Sequence, residues 1–163
     1  MTKASISLQE LRRKIYRKEK TKVVNLREGG CFSFLGFDFR LNKNREGKNY
    51  VSKTPRKKKR QEIGKRVKAA LKAIWNKPLN EAMQAVNSVI RGWVNYFRIG
   101  NSNSTFNNVR DYIEKKVRKF VMRRKKLKGF GGKKWSREEI YQKWGLYNEY
   151  RITYIRPKAT PAR

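Results

Sequence analysis

The sequence predicts an α+β protein in which a small N-terminal antiparallel β element is followed by a basic helical bundle. Alternating apolar and polar residues early in the chain predict strands, and a later apolar repeat of about 3.6 residues predicts helices. The third observation is charge, since 44 Lys and Arg residues against 12 Asp and Glu residues give the 163-residue chain a net charge of +32. With 37% hydrophobic residues, the chain can also bury a modest core. We therefore expect a folded and strongly basic protein.

The predicted elements divide the chain into three parts. Residues 1–53 hold an N-terminal helix and a small β-sheet, residues 54–128 hold the basic helical bundle, and residues 129–163 hold a short helix and a loose tail. Residues 53–128 carry 23 basic and 4 acidic side chains, a net charge of +19. The helical middle is therefore the part that we expect to bind a polyanion.

The first part begins with a helical pattern and continues as strands. Leu8, Leu11 and Ile15 are spaced as on one face of a helix. Residues 22–26 then predict a strand, and residues 28–30, Glu-Gly-Gly, predict a turn. A short helix before a β element is the expected result.

A period of two predicts the main strand of the sheet. Apolar residues Phe37, Phe39 and Leu41 alternate with Asp38 and Arg40, as expected of a half-buried strand, and Phe32 and Phe34 form the preceding half of this pattern. The three-residue step from Phe34 to Phe37 breaks this period, and Gly36 inside the break predicts a β-bulge. Residues 44–47 predict a turn into a returning strand at residues 49–52, and residues 54–55, Thr-Pro, end the sheet.

Three amphipathic helices are predicted after the sheet. Pro78 suits the first position of the second helix. Ser102 and Ser104 are candidate N-caps of the third helix. The apolar stripes of the three helices are, in order, Val67, Ala70, Leu71, Ile74 and Trp75; Leu79, Ala82, Met83, Val86, Ile90, Trp93, Val94 and Phe97; and Phe106, Val109, Ile113, Val117 and Phe120.

The last part of the chain contains a break and a short helix. Residues 129–132, Gly-Phe-Gly-Gly, interrupt the helical pattern, and we interpret them as a flexible linker. Ser136 and Glu139 have the spacing of a capping box, which predicts the start of a helix. In that helix Ile140 and Trp144 are expected to face inward.

The composition excludes several kinds of catalytic site. The chain has no histidine, which excludes His-ligated zinc and His-dependent triads, and Cys31 is its single cysteine, which excludes an internal disulfide. The two aspartates are Asp38 and Asp111, the latter near Glu114. Because basic residues surround them, we interpret these carboxylates as charge partners and not as metal ligands. We therefore expect no catalytic residue, no metal and no cofactor.

The sequence also predicts where in the cell the protein is located. No apolar run approaches the ~18 residues that span a bilayer, and residues 1–22 are too charged for a secretory signal. We expect a protein of the bacterial cytoplasm or of an organellar matrix or stroma, neither secreted nor in a membrane. An organelle-targeting segment is the alternative interpretation of the basic N-terminal residues.

Two basic runs flank the predicted bundle, one at residues 53–60 and one at residues 123–128. Lys and Arg at this density are typical of contacts to nucleic-acid phosphates, with an anionic membrane as the weaker alternative. Trp135 follows two lysines and is a candidate for base stacking, with burial as an equal alternative, whereas Trp93 and Phe97 are expected in the core. The predicted RNA-binding residues are Arg56, Lys57, Lys58, Lys59, Arg60, Lys65, Arg66, Arg91, Arg98, Arg110, Lys115, Lys116, Lys119, Arg123, Arg124, Lys125, Lys126, Lys128, Lys133, Lys134 and Trp135.

Several motifs resemble one protein family. Residues 91–102, Arg-Gly-Trp-Val-Asn-Tyr-Phe-Arg-Ile-Gly-Asn-Ser, resemble the motif of the maturase-specific region of group II intron-encoded proteins. Residues 34–40, Phe-Leu-Gly-Phe-Asp-Phe-Arg, resemble the last conserved block of the reverse transcriptase domain in those proteins, and residues 20–26 resemble the strand before it. Residues 143–147 are similar to the closing stretch of the family. The resemblance covers roughly residues 18–155, in the order and spacing of the family.

The resemblance implies a palm-end β element, then a helical thumb, then the maturase domain called domain X. In the family these helices bind intron RNA and stabilise the folded ribozyme, which itself performs the transesterifications. The sequence contains neither the Tyr-x-Asp-Asp motif of the catalytic palm nor a His-containing endonuclease domain. The resemblance therefore implies no polymerase or nuclease activity.

These observations predict a maturase-like RNA-binding protein that assists the splicing of group II intron-like RNA without catalytic residues of its own. Two alternatives stay open. One is a structural subunit of a stable ribonucleoprotein, ribosome-like or otherwise, that derives from a maturase and has other subunits as partners. The other is the thumb and domain X part of a split reverse transcriptase whose palm is a separate chain.

Overall fold

The computed structural model of the protein describes residues 24–153. A short 3-10 helix (Leu26–Glu28) precedes strands β1 (Cys31–Phe34), β2 (Phe37–Lys43) and β3 (Asn49–Pro55), helices α1 (Lys57–Ala73), α2 (Leu79–Phe97) and α3 (Asn103–Arg124), and a π-helical turn (Glu139–Lys143). The strands form one antiparallel sheet in the order β1-β2-β3. The predicted α+β class is confirmed. The helix predicted around Leu8, Leu11 and Ile15 and the predicted tail lie outside the described residues.

The segment before the sheet forms a turn of 3-10 helix. The backbone N–H of Arg27 donates a hydrogen bond to Asn25 Oδ1 at 3.0 Å, and Gly29 ends the turn with a φ of 78°. A side chain that bonds the backbone two residues ahead competes with strand pairing. The strand predicted at residues 22–26 is therefore wrong over its described part, whereas the turn predicted at residues 28–30 is confirmed.

A tight hairpin joins β1 and β2. Phe34 pairs with Phe37, and the two residues between them have positive φ angles, 46° at Leu35 and 80° at Gly36. Two positive φ angles are the requirement of a type I′ turn, whose twist matches that of the flanking antiparallel strands. The bulge predicted at Gly36 is therefore wrong, since the broken period marks the end of one strand and the start of the next.

The turn predicted between β2 and β3 is confirmed. Asn44 Oδ1 accepts hydrogen bonds from two backbone N–H groups of the turn, at 3.0 and 2.8 Å, and Gly47 adopts a φ of 76°. β3 continues to Pro55, beyond the predicted end at Ser52. Because β3 is an edge strand, a proline without an N–H is tolerated there.

One hydrophobic core joins the sheet, the helices and the C-terminal segment. Phe37 of β2 packs edge-on against Phe97 of α2, with ring centroids 4.9 Å apart. Ile140, Leu146 and Tyr147 belong to the same core. The buried residues of the helices include Ile63, Val67 and Leu71 on α1, Ala82, Met83, Val86, Ile90 and Val94 on α2, and Phe106, Val109, Ile113, Val117 and Phe120 on α3. No helix within residues 24–153 is both long and apolar enough to cross a bilayer.

Three details at the helix ends differ from the prediction. Trp75, expected in the apolar stripe of α1, lies beyond the last helical residue and is 41% exposed. The chain leaves α1 at Ala73 to reach Pro78, so no helical turn holds the Trp75 side chain over the core. Pro78 precedes α2 and is not its first residue. Ser102 occupies the N-cap position of α3, but its Oγ donates to the Phe97 carbonyl at 2.8 Å and does not cap the helix.

The capping box predicted near the C-terminus is confirmed. The Ser136 N–H donates to Glu139 Oε2 at 2.9 Å, and the Glu139 N–H donates to Ser136 Oγ at 3.1 Å. The first of these bonds is the main reason that the pKa of the Glu139 carboxyl lies below its usual value. The helix that follows is one π-helical turn, with Ile140 buried and Trp144 half-buried against the core.

Trp93→Ala is expected to lower the melting temperature. The indole is half-buried and lies against Phe97 and Phe106, with centroid distances of 4.8 and 5.7 Å. Truncation of a buried Trp costs about 3–5 kcal/mol, and we expect the lower end because the ring is only partly buried. At about 2–4 °C per kcal/mol, the melting temperature should fall by roughly 6–12 °C, measured by circular dichroism. The exposed Trp75→Ala is the control; an equal fall in both variants would contradict the assignment of Trp93 to the core.

Candidate nucleic-acid interface

Helices α1 and α3 run side by side in the same direction and enclose a groove. Near the start of both helices Arg60 and Asn108 line a cavity of about 610 Å³, and near their ends Lys72 and Arg123 line a second cavity of about 420 Å³. Both cavities lie between the two helices and share Lys68 in their lining, and together they are called here the α1–α3 groove. The 17 residues of α1 extend over about 25 Å. The groove thus connects the regions of the two basic runs.

The rim of the groove is basic. Within the described part of the chain, no acidic residue lines either cavity. Among residues 24–153, no carboxylate lies within 4.0 Å of any cationic group that lines the groove. Uncompensated positive charges along one groove repel each other, and a polyanion relieves that repulsion. The cationic residues of the lining are Lys57, Arg60, Lys65, Lys68, Lys72, Lys116, Lys119 and Arg123.

The floor of the groove is apolar and aromatic. Tyr112 lines the first cavity, and Trp75 and Phe120 line the second. Lys116 Nζ lies 5.0 Å from the centroid of the Tyr112 ring, within cation–π distance. The Trp75 and Phe120 rings meet edge to face, with centroids 5.4 Å apart and planes at 89°. Cations around aromatic rings are the chemistry with which proteins bind unpaired nucleotides.

The structure brings some of the predicted binding residues together in the groove. They come from both α1 and α3, and all of them are exposed or half-buried. Their juxtaposition depends on the packing of the two helices, which are far apart in sequence. The predicted residues that line the groove are Lys57, Arg60, Lys65, Lys116, Lys119 and Arg123.

Other predicted binding residues already have partners within the protein. Lys59 and Arg66 contact the Glu62 carboxylate at 2.8 and 3.2 Å. The hydrogen bond from Lys59 is the main cause of the lowered pKa of Glu62. Arg110 pairs with acidic residues of α3 at 3.9 and 4.0 Å, and Arg91 lies over a tyrosine ring. The carboxylates partly compensate the charges of Lys59, Arg66 and Arg110.

The remaining predicted lysines and arginines lie outside the lining of the groove. Arg56 Nε is 3.9 Å from Asp38, and Arg124 lies over the Phe120 ring at 5.5 Å. The residues of this set are Arg56, Lys58, Arg98, Lys115, Arg124, Lys125, Lys126, Lys128, Lys133 and Lys134.

Trp135 is half-buried and packed on several sides. Its ring meets the Trp144 ring edge to face with centroids 5.2 Å apart, and Lys125 Nζ lies 4.7 Å from its centroid. Gly131 lies so close that a Cβ atom there would come within 2.8 Å of the Met122 side chain and 3.0 Å of Trp135. The glycine-rich segment is therefore packed against α3 at Gly131, in contrast to the flexible linker that the sequence predicts.

Four groove residues are missing from the sequence prediction: Lys68, Lys72, Trp75 and Tyr112. Lys68 and Lys72 follow Lys65 at helical spacing, so the periodicity of the lysines on α1 was a usable signal. Trp75 and Tyr112 carry no such signal. Their part in the groove depends on where α1 ends and on how α3 packs beside it.

A buried carboxylate forms a second electrostatic feature of α3. Glu114 is 2% exposed and accepts a hydrogen bond from the Tyr141 hydroxyl at 2.6 Å. Arg137 Nε lies 3.0 and 3.1 Å from its two oxygens, and Arg118 Nη2 lies at 3.4 Å. Arg137 also reaches Asp111 Oδ1 at 2.8 Å. Burial, reinforced by the Glu114 hydrogen bond, raises the pKa of Tyr141 far above its usual value. These contacts tie the C-terminal segment to α3.

The carboxylates are engaged as the charge-partner interpretation predicts. Asp38 accepts a hydrogen bond from the Ser33 hydroxyl and faces an arginine, and Asp111 and Glu114 face arginines. In the part of the chain that the structure describes, no group of three or more His, Cys, Asp or Glu side chains is placed to hold a metal ion. Cys31 is an exposed thiol on β1.

Comparison with known protein families identifies the family to which this part of the chain belongs. The model of the group II intron maturase-specific domain matches residues 53–143, more than half of the chain. A comparison with curated proteins gives no match. The matched region contains all three helices and both cavities, and it confirms the resemblance that the sequence shows at residues 91–102. With its helical bundle and basic groove inside the match, the chain belongs to the group II intron maturase-specific domain family.

Proposed function

We propose that the protein binds structured RNA of the group II intron type through the α1–α3 groove and assists its splicing without supplying a catalytic group. The observation that carries this proposal is that, among residues 24–153, eight cations and no carboxylate line the groove. RNA phosphates are the polyanion that such a surface binds by releasing counterions. Family membership supplies the link to group II introns.

The proposed action is electrostatic. A folded intron brings phosphates of distant RNA segments close together, and their repulsion opposes folding. Lysines and arginines placed between such segments lower this repulsion, as do magnesium ions. The family match supports a protein without catalysis of its own, because it covers the maturase-specific region and not a catalytic domain.

Intron splicing in vitro across a magnesium series tests the proposal. The double variant Asp38→Asn and Asp111→Asn should splice within about twofold of wild type, because the proposal assigns neither carboxylate a part in the reaction and a residue outside the reaction changes its rate little. Alanine at Lys65, Lys68 and Lys72 should abolish the stimulation at low magnesium. High magnesium should partly replace the protein, since both neutralise phosphate charge.

A different outcome would contradict the proposal directly. Metal-dependent cleavage or polymerisation of RNA by the protein alone, lost in the Asp double variant, would assign it a catalytic carboxylate. Melting curves of all variants are needed beside the splicing rates, because Asp111 also contacts Arg137 at 2.8 Å.

A further inference from the structure

We propose that the end of the α1–α3 groove at Trp75 binds an unpaired RNA nucleotide, whose base stacks on the Trp75 indole. The phosphates beside that base are expected to contact the lysines of the rim. This inference rests on the proposed RNA-binding function and names the form of RNA that this end of the groove selects.

The position of Trp75 is the first observation. Its side chain is 41% exposed and lies outside the hydrophobic core cluster. The indole contacts the Phe120 ring edge to face, at 5.4 Å between centroids. An exposed aromatic ring outside the core is available to a ligand without loss of core packing.

The chemistry around Trp75 is the second observation. Of the residues that the structure describes, five cations and no carboxylate line the cavity of about 420 Å³ beside the indole. An RNA duplex keeps its bases stacked inside, so it offers phosphates to the lysines and nothing to an aromatic ring. An unpaired nucleotide offers both a phosphate and a base face. The combination of Trp75 with Lys72 and Lys116 therefore favours an unpaired strand.

A second exposed aromatic residue lies next to this end of the groove. Phe130 is 68% exposed, and Lys119 Nζ lies 5.0 Å from the centroid of its ring. Lys119 also lines the cavity beside Trp75, so the same lysine lies near both aromatic rings. A strand that stacks one base on Trp75 can thus continue past Lys119 toward Phe130.

The test compares Trp75→Ala with Tyr50→Ala, since both residues are aromatic and 41% exposed but Tyr50 lies on β3. The probes are a fluorescein-labelled oligoadenylate of about 10 nucleotides and a duplex of the same length, titrated by anisotropy. Trp75→Ala should weaken binding of the oligoadenylate by about 5-fold to 100-fold and of the duplex by less than about twofold. Trp75→Phe should retain most of the affinity for the oligoadenylate, and Tyr50→Ala should change the affinity for neither probe.

Other results would overturn the proposal. If Trp75→Ala lost affinity equally for both RNAs, or lost no affinity for the oligoadenylate, Trp75 would stack on no base. Displacement of the oligoadenylate by a poly-glutamate peptide, at equal affinity, would assign the site to an acidic protein segment. Failure of the wild-type protein to bind group II intron RNA would reject the proposed function itself, whereas binding of intron RNA without binding of the oligoadenylate would reject this site alone.

Discussion

Alanine at Lys65, Lys68 and Lys72 together is expected to weaken RNA binding by about 10²–10³-fold at about 100 mM salt. The three side chains are exposed, share one side of α1 and line the groove. Each lysine that no longer neutralises a phosphate leaves one counterion on the RNA, so the slope of log affinity against log salt should become shallower by about 3. Alanine is a good helix former, so α1 itself should persist.

The matched control removes the same charge from the β2–β3 hairpin. Alanine at Lys43, Arg45 and Lys48, all exposed and none of them in the lining of the groove, should reduce affinity much less. Both variants are titrated with the same RNA at several salt concentrations. An equal loss of affinity in both variants would mean that net charge, and not the groove, governs binding. A salt-independent affinity of the wild type would contradict phosphate contacts altogether.

Glu114→Ala is expected to lower the free energy of unfolding by about 3–5 kcal/mol, which is roughly 6–20 °C in melting temperature. The substitution removes the hydrogen-bond acceptor of Tyr141 and the charge partner of Arg118, whose side chain is 13% exposed. A buried guanidinium without a carboxylate is costly, because the protein interior screens its charge poorly. Glu114→Gln keeps an acceptor for Tyr141 and should cost less.

Urea unfolding provides the measurement, and Glu81→Ala provides the control. Glu81 is an exposed carboxylate on α2, 4.0 Å from Lys77, and an exposed pair of this kind contributes less than about 1 kcal/mol. Equal midpoints for the Glu114 and Glu81 variants would show that the buried network does not hold the C-terminal segment to α3.

Local patterns were sufficient for much of the fold. The periods of two and 3.6 predict the sheet and the three helices, and the Ser136–Glu139 spacing predicts a capping box that the structure contains. The errors fall where a short pattern has two structural solutions. A Gly in a broken strand pattern suits a bulge and a hairpin turn equally, and only strand pairing distinguishes them at Gly36.

The sequence by itself determined the class, the charge and the family, because these depend on composition and on motifs of consecutive residues. The tertiary structure alone decided the candidate site. Periodicity tells which side of a helix is buried, but not which other helix packs there. The pairing of α1 with α3 therefore had to be known before eight cations could be placed in one groove. The same packing leaves Trp75 exposed on the floor of the groove and buries Glu114, since burial depends on neighbours distant in sequence.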